Sequence, residues 1–371
     1  MPNVPNNIQG KPRRFTIDGS EDLEKRIARD MDRVRDAALK AVGPENLTAL
    51  VLGGGYGRGE GGVHLVDGEE RVYNDYDFFV VVPFRARNQR QAVAARLDAL
   101  KAELDPACGV HVDFGPPIPA ENLPLLPYEL MYMEAKEGHV VIHGPNDVFD
   151  AMPNYDPARP PLEECARLFM NRGVGLVLAG RTLREPGRLD RESFEFVVRN
   201  IQKAYMAMGD SVLFRVGRYR TRYSERLAVL ENLNLDSIPD ALGLIDAYRA
   251  AIEFKLRPRH DVPEGLTLAA WHARAAERFL DMFLWFERAR LGYPGMSWDE
   301  YAALPARLPR PRGGAMARCL AQNIRHGRAL GLGPDCFLQP RDRILKRLPA
   351  LLAPRASGDA APLIKLWSHI G

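Results

Sequence analysis

The segment LGGGYGRGEGGVHLVDGEERVYNDYDFFVVV, Leu52 to Val82, carries a glycine-rich loop into Asp75 and Asp77, which open a long apolar run. Burying an unpaired carboxylate is costly, so such a pair needs a compensating charge or an open strand end. Successive strand side chains point to opposite faces, which puts Asp75 and Asp77 on one face. There they can share hard cations, and magnesium in particular takes oxygen ligands and completes its shell with water and phosphate. In VHVDF, Val110, Val112 and Phe114 take one face, while His111 and Asp113 take the other. A neighbouring strand that brings Asp113 beside the pair would gather three carboxylates around two Mg2+ or Mn2+ ions. That arrangement suits in-line phosphoryl or nucleotidyl transfer.

The glycines supply the other half of such a site. Glycine lets backbone approach phosphate closely and adopt positive φ, so that amide groups face an anion. Arg58, inside the loop, can add a charge-assisted bond to phosphate. Asp67-Gly68 lies between two extended runs and is a strong hairpin signal, so the insertion folds out and returns the chain near its point of departure. GRGEGG also satisfies G-x-G-x-x-G, but a dinucleotide fingerprint should open a helix and carry its acid at the end of the second strand. Here the loop is expected to open into a hairpin, and Asp75 begins its strand. No Walker A lysine follows the glycines, and the kinase catalytic-loop pattern is absent.

The elements that must position these residues follow from periodicity. SEDLEKRIARDMDRVRDAALKAV reads as a helix, capped by Ser20 and stopped by Gly43-Pro44. LTALVLGG, DYDFFVVVP, GVHVDFGPP and EGHVVIHGP read as strands, the second apolar on both faces and therefore central in a covered sheet. NQRQAVAARLDALKAEL reads as one helix between them. Alternating strands and helices indicate an α/β (α+β) domain over residues 21–155, preceded by a 1–20 flexible tail. Beyond the proline-rich MPNYDPARPPLEE the spacing becomes three and four, predicting an all-α domain over 156–371. At 371 residues, two domains are the natural expectation.

A net charge of +3 argues against a dedicated nucleic-acid binder. Scattered Cys108, Cys165, Cys319 and Cys336 form no CxxC pair and fit free core thiols in a reducing cytosol. No signal-like or transmembrane-length run is visible, so a cytoplasmic protein without a membrane partner is expected.

GGYGRGE at Gly54 to Glu60, followed by NDYDFFVV at Asn74 to Val81, resembles the nucleotidyltransferase superfamily with its DNA polymerase beta-like fold. The loop is most like that of the signal-protein uridylyltransferases and the glutamine synthetase adenylyltransferases. The resemblance covers roughly residues 45–115 and implies a mixed-sheet catalytic domain followed by a helical substrate-binding one. It implies that Gly54 and Gly55 hold the triphosphate, that Asp75 and Asp77 are metal ligands, and that Asp113 is the third ligand and the base toward the acceptor. It also implies a lysine reaching the triphosphate from the first long helices after the catalytic domain, and Lys203 occupies such a place. Two departures stand out: the spacer between Gly55 and Asp75 is longer than usual in the family, and the hydrolase and ligand-sensing modules of a full uridylyltransferase are missing.

The expected activity is transfer of a nucleoside monophosphate from a nucleoside triphosphate to a protein or small-molecule acceptor, with release of pyrophosphate, in a cleft between the domains. Two alternatives stay open. An Asp-x-Asp pair also serves nucleotide-sugar glycosyltransferases, and a degenerate fold can bind nucleotide without catalysis. Tyr219, Arg222 and Tyr223 mix aromatic and basic character suited to lining a cleft, or simply to helix packing. His139 and His143 share a strand face and read as structural histidines.

Overall fold

The structure, a computed structural model, describes residues 14–303, 313–331, 333–353 and 359–370. It divides into two compact units. The first runs up to Pro160 and adds Arg220–Glu225 and Glu253–Arg259; the second comprises Pro161–Tyr219, Arg226–Ile252 and the chain from His260 onward.

In the first unit, α1 (Glu21–Val42) is capped by the Ser20 side chain, three acids fill its first turn, and Gly43 at φ 84° ends it. Its buried stripe of Leu23, Ile27, Met31, Val34, Ala38 and Val42 lies on a mixed sheet. The strands are β1 (Ala49–Leu52), β2 (Val63–Val66), β3 (Glu69–Val72), β4 (Tyr76–Val82), β5 (Val112–Phe114), β6 (Ile118–Pro119) and β7 (Val140–His143). The sheet order is β5-β4-β1-β7, with β6 also pairing β4, while β2 and β3 form a separate hairpin. β1 runs antiparallel to β4 and β7, and β5 and β6 run parallel to β4. Leu50, Leu52, Phe78, Val80, Val82 and Val112 meet the α1 side. On the opposite face Phe79 packs edge-on against Phe149, with ring centroids 5.6 Å apart. β4 is therefore the doubly covered central strand that its apolar run predicts.

The hairpin at Asp67-Gly68 forms with both residues at positive φ, 51° and 83°, the twist that a tight two-residue turn between strands requires. Its base is pinned from inside. The buried Tyr56 hydroxyl donates to the Gly62 carbonyl at 2.8 Å and accepts from the Tyr73 N–H at 3.0 Å. The Asn74 side chain accepts from Gly62 N–H at 2.9 Å. The long spacer thus leaves and rejoins the sheet at one place.

Several expectations change. Residues 1–13 lie outside the described residues, but part of the remaining expected tail is packed: Phe15 and Thr16 are buried, and their N–H groups donate to the Glu24 carboxylate. The single helix expected after β4 is two, α3 (Arg87–Ala99) and α4 (Lys101–Cys108), broken at Leu100. The glycine loop does not pass straight into the hairpin. It first forms a one-turn helix, α2 (Gly54–Arg58). A further helix, α5 (Leu130–Glu137), went unread because its eight residues are too few to show a period.

The second unit is helical, as the three- and four-residue spacing predicts: α6 (Leu162–Thr182), α7 (Arg191–Arg215), α8 (Tyr223–Glu231), α9 (Ala241–Leu256), α10 (Leu268–Arg290), α11 (Trp298–Ala302), α12 (Gly313–Gly327), α13 (Pro340–Leu352) and α14 (Ala361–Trp367). The first turn of α8 and the last of α9 belong to the first unit. Phe169, Phe279, Phe283 and Phe286 form an aromatic core. A buried Arg290 makes two bonds to the buried Glu287, which also accepts from Tyr301.

Tyr56→Phe should leave the Gly62 carbonyl and Tyr73 N–H without their buried partner and cost about 1–3 kcal/mol. Urea unfolding of the two proteins measures this directly, and equal midpoints would show that the pin holds nothing.

Candidate active site

The carboxylates assemble by strand register. β4 pairs with β5 so that Asp77 stands directly beside Asp113, as Tyr76 stands beside Val112 and Phe78 beside Phe114. Directly opposed residues of paired strands project to the same face. Tyr76 points the other way, where its hydroxyl donates to Asp30 of α1 at 3.2 Å. Asp75 and Asp77 flank it as exposed residues, and Asp113 is exposed too. The three aspartates of the sequence reading therefore share one face at one end of the sheet.

The glycine turn meets this face through the other neighbour of β4. The β1–β4 ladder ends with Gly53 N–H donating to the Asp77 carbonyl at 2.8 Å. Gly54 follows at φ 60°, and a side chain built on it would strike the Asp77 carboxylate. Glycine here is required both by backbone conformation and by the carboxylate it faces.

The carboxyl of Asp77 is within reach of water, yet surrounding protein strips much of its hydration. That desolvation is the main reason its pKa is pushed up to about 6, and Asp75 and Asp113 push in the same direction as like charges. Lys255 is the strongest opposing influence, followed by Arg58. Asp113 accepts from Lys101 Nζ at 2.8 Å. His111 stays exposed on the aspartate face, bonded through Nδ1 to Asp105 at 2.8 Å, and this bond raises its pKa.

Lys255 is absent from the sequence reading. It ends α9 within the segment that belongs to the first unit, with its Nζ 6.0 Å from the Tyr223 ring centroid. The only hint was the basic run KLRPR after an apolar helix. Nothing in spacing alone could bring residue 255 to residue 77. Lys203, expected to serve the phosphates, is half-buried on α7 of the second unit.

Arg58 also differs from expectation. Its side chain is only 4% exposed and is ion-paired to Glu134 at 2.9 Å, with Tyr223 Oη at 3.3 Å and the Tyr223 ring at 5.4 Å. The fully buried Glu60 accepts from Tyr223 N–H at 3.0 Å and from Ser224 at 3.3 Å. The charged residues of the GRGE motif thus hold segment 220–225 on the first unit. Tyr223, enclosed by them, is 8% exposed, and Tyr219 is fully buried against Phe214 and Arg226 in the second unit. His139 bonds the Ala135 carbonyl and lies tilted against Phe149, in keeping with a structural histidine.

The residues fit a hard divalent cation. All three candidate donors are carboxylate oxygens, they repel one another without a cation, and the missing side chain at Gly54 keeps Asp77 approachable. Among the described residues no three His, Cys, Asp or Glu already converge as a metal cage. A cation here would complete its shell with water and phosphate oxygens, as magnesium commonly does.

No protein-family model matches the chain, and no curated protein aligns with it. The solved structure of spectinomycin adenyltransferase AAD(9) from Enterococcus faecialis, with ATP and spectinomycin, aligns with 68% of this chain and 99% of that one, at 12% identity and a TM-score of 0.39. So remote a likeness leaves the functional reading to the site itself.

Because the folded pKa of Asp77 lies above its unfolded value of 3.8, the native state holds this proton more tightly than the unfolded chain. The associated stability is full below about 4 and is lost as pH rises through about 6. In metal-free buffer, Asp77→Asn should therefore melt higher than the parent at pH 7, with the difference shrinking toward pH 4. Thermal unfolding across that range tests it, and a variant less stable at pH 7 would show that the native state does not hold this proton more tightly.

Proposed function

We propose that the protein is a metal-dependent nucleotidyltransferase that moves a nucleoside monophosphate from a nucleoside triphosphate to a hydroxyl-bearing acceptor, releasing pyrophosphate. The observation that carries this reading is the register of Asp77 beside Asp113, with Asp75 two residues earlier and the glycine turn against the same carboxylate. Asp75, Asp77 and Asp113 would hold Mg2+ or Mn2+, in the two-ion form suited to this chemistry, which neutralises phosphate charge and polarises the reacting oxygens.

The protein's own groups account for the remaining requirements. Backbone N–H groups of the Gly54-Gly55 turn offer donors to phosphate oxygens without a side chain in the way. Lys255 brings positive charge to the Asp77 side of the site, where the triphosphate would lie. Asp113, exposed in the middle of β5, would accept the proton of the acceptor hydroxyl; its reach to solvent and its shared face with the other two support that role. Attack of that oxygen on the α-phosphorus forms the new ester bond and breaks the bond to the bridging oxygen, which leaves with pyrophosphate. Among the described residues no helix is long and apolar enough to cross a membrane.

Incubation with each α-labelled triphosphate, Mg2+ and a cell extract should label one class of acceptor and release pyrophosphate. Label transfer from a sugar nucleotide without pyrophosphate would instead establish the glycosyltransferase. Asp75→Asn and Asp113→Asn should each lower turnover at least about 100-fold with the fold intact. Full turnover in both would remove the carboxylate mechanism.

Lys255→Ala should weaken triphosphate binding about tenfold more than monophosphate binding, since the lost charge would face the outer phosphates. Equal weakening of both ligands, read by calorimetry, would assign Lys255 to packing.

A further inference from the structure

Within the trio, Asp113 carries its own counter-ion. Lys101 Nζ lies 2.8 Å from Asp113 Oδ1 and 3.0 Å from Asp98 Oδ1. The ammonium reaches both because the chain breaks at Leu100, ending α3 and starting α4 with Lys101 at its first position. Contacts of α4 with β5 then bring that turn over the strand that carries Asp113.

Stability gives a weak reason for this pair. The Asp113 side chain is 65% exposed and that of Lys101 32%, and ion pairs so open to water add little to folding. Asp98, three residues earlier in the last turn of α3, already offers Lys101 a local partner. The geometry does have a chemical consequence. The ammonium sits on the one carboxylate that would have to turn both to a cation and to an acceptor proton, and it competes for the oxygen that either would use.

We propose that Lys101 is a positioning residue that clamps Asp113 in the metal-free protein and is displaced from it by a divalent cation. The inference rests on the nucleotidyltransferase reading and deepens it. The clamp keeps three like charges from standing uncompensated side by side, and it makes occupancy of the Asp113 side of the site the harder step. Asp98 receives the displaced ammonium, so the exchange breaks one ion pair and leaves the other.

The test is Mn2+ binding by the full-length protein, measured by electron paramagnetic resonance of free Mn2+ in four backgrounds: parent, Lys101→Met, Asp113→Asn and the double variant. Circular dichroism melts check that all four fold. The clamp predicts that Lys101→Met tightens Mn2+ binding by about three- to tenfold in the parent, while the same change in the Asp113→Asn background alters it less than about twofold. Lys101→Arg, which keeps the cation, should restore parental affinity. Equal tightening with and without Asp113 would reduce Lys101 to a general field and overturn the clamp. Mn2+ binding that is present but indifferent to Lys101 overturns it too, and leaves the proposed function standing. No Mn2+ bound by any of the four overturns both.

Discussion

Three aspartates gathered at one end of a sheet repel one another, and the packing of the sheet holds them there. The sheet cannot avoid it, because β4 pairs with β5 in the register that sets Asp77 against Asp113, and Tyr76, anchored to Asp30, forbids β4 to slip by one residue. A slip would turn Asp77 toward the α1 face and take the Tyr76 hydroxyl away from Asp30. The apolar core thus fixes the position of the charges. Lys101 and Lys255 then reach those charges from separate parts of the chain.

The glycine motif has two tasks, divided by residue type. Its glycines bring backbone to the Asp77 carboxylate, while Tyr56, Arg58 and Glu60 turn inward and hold other segments. Tyr56 closes the base of the hairpin, Arg58 binds Glu134, and Glu60 accepts from the Tyr223 N–H and the Ser224 hydroxyl at the start of α8. Buried polar groups need partners: Arg58 is ion-paired, and Tyr56 and Glu60 are hydrogen-bonded. The loop therefore serves as a hub, and the segment at 220–225 is counted with the first unit because the loop holds it there.

This division explains where the sequence reading of Arg58 went astray. An arginine among glycines looks like a phosphate ligand when its partners are unknown. Its partners, Glu134 and Tyr223, lie far along the chain, and neither spacing nor propensity marks them. Lys255 escapes the sequence for the same reason: only the return of the chain at 253–259 to the first unit brings it toward Asp77.

The sequence by itself determined what local physics encodes. Alternation placed Asp75 and Asp77 on one face of their strand, and His111 with Asp113 on one face of another. The apolar length of β4 made it central, Asp67-Gly68 made the hairpin, and the capping signals set the bounds of α1. Three- and four-residue spacing gave the helical second unit. Tertiary structure alone decided which strand lies beside β4, the inward turn of Arg58 and Glu60, the break at Leu100 that delivers Lys101 to Asp113, and the presence of Lys255. Each of these depends on a partner distant in sequence, and a side chain's charge says nothing of its partner until the backbone has brought the two together.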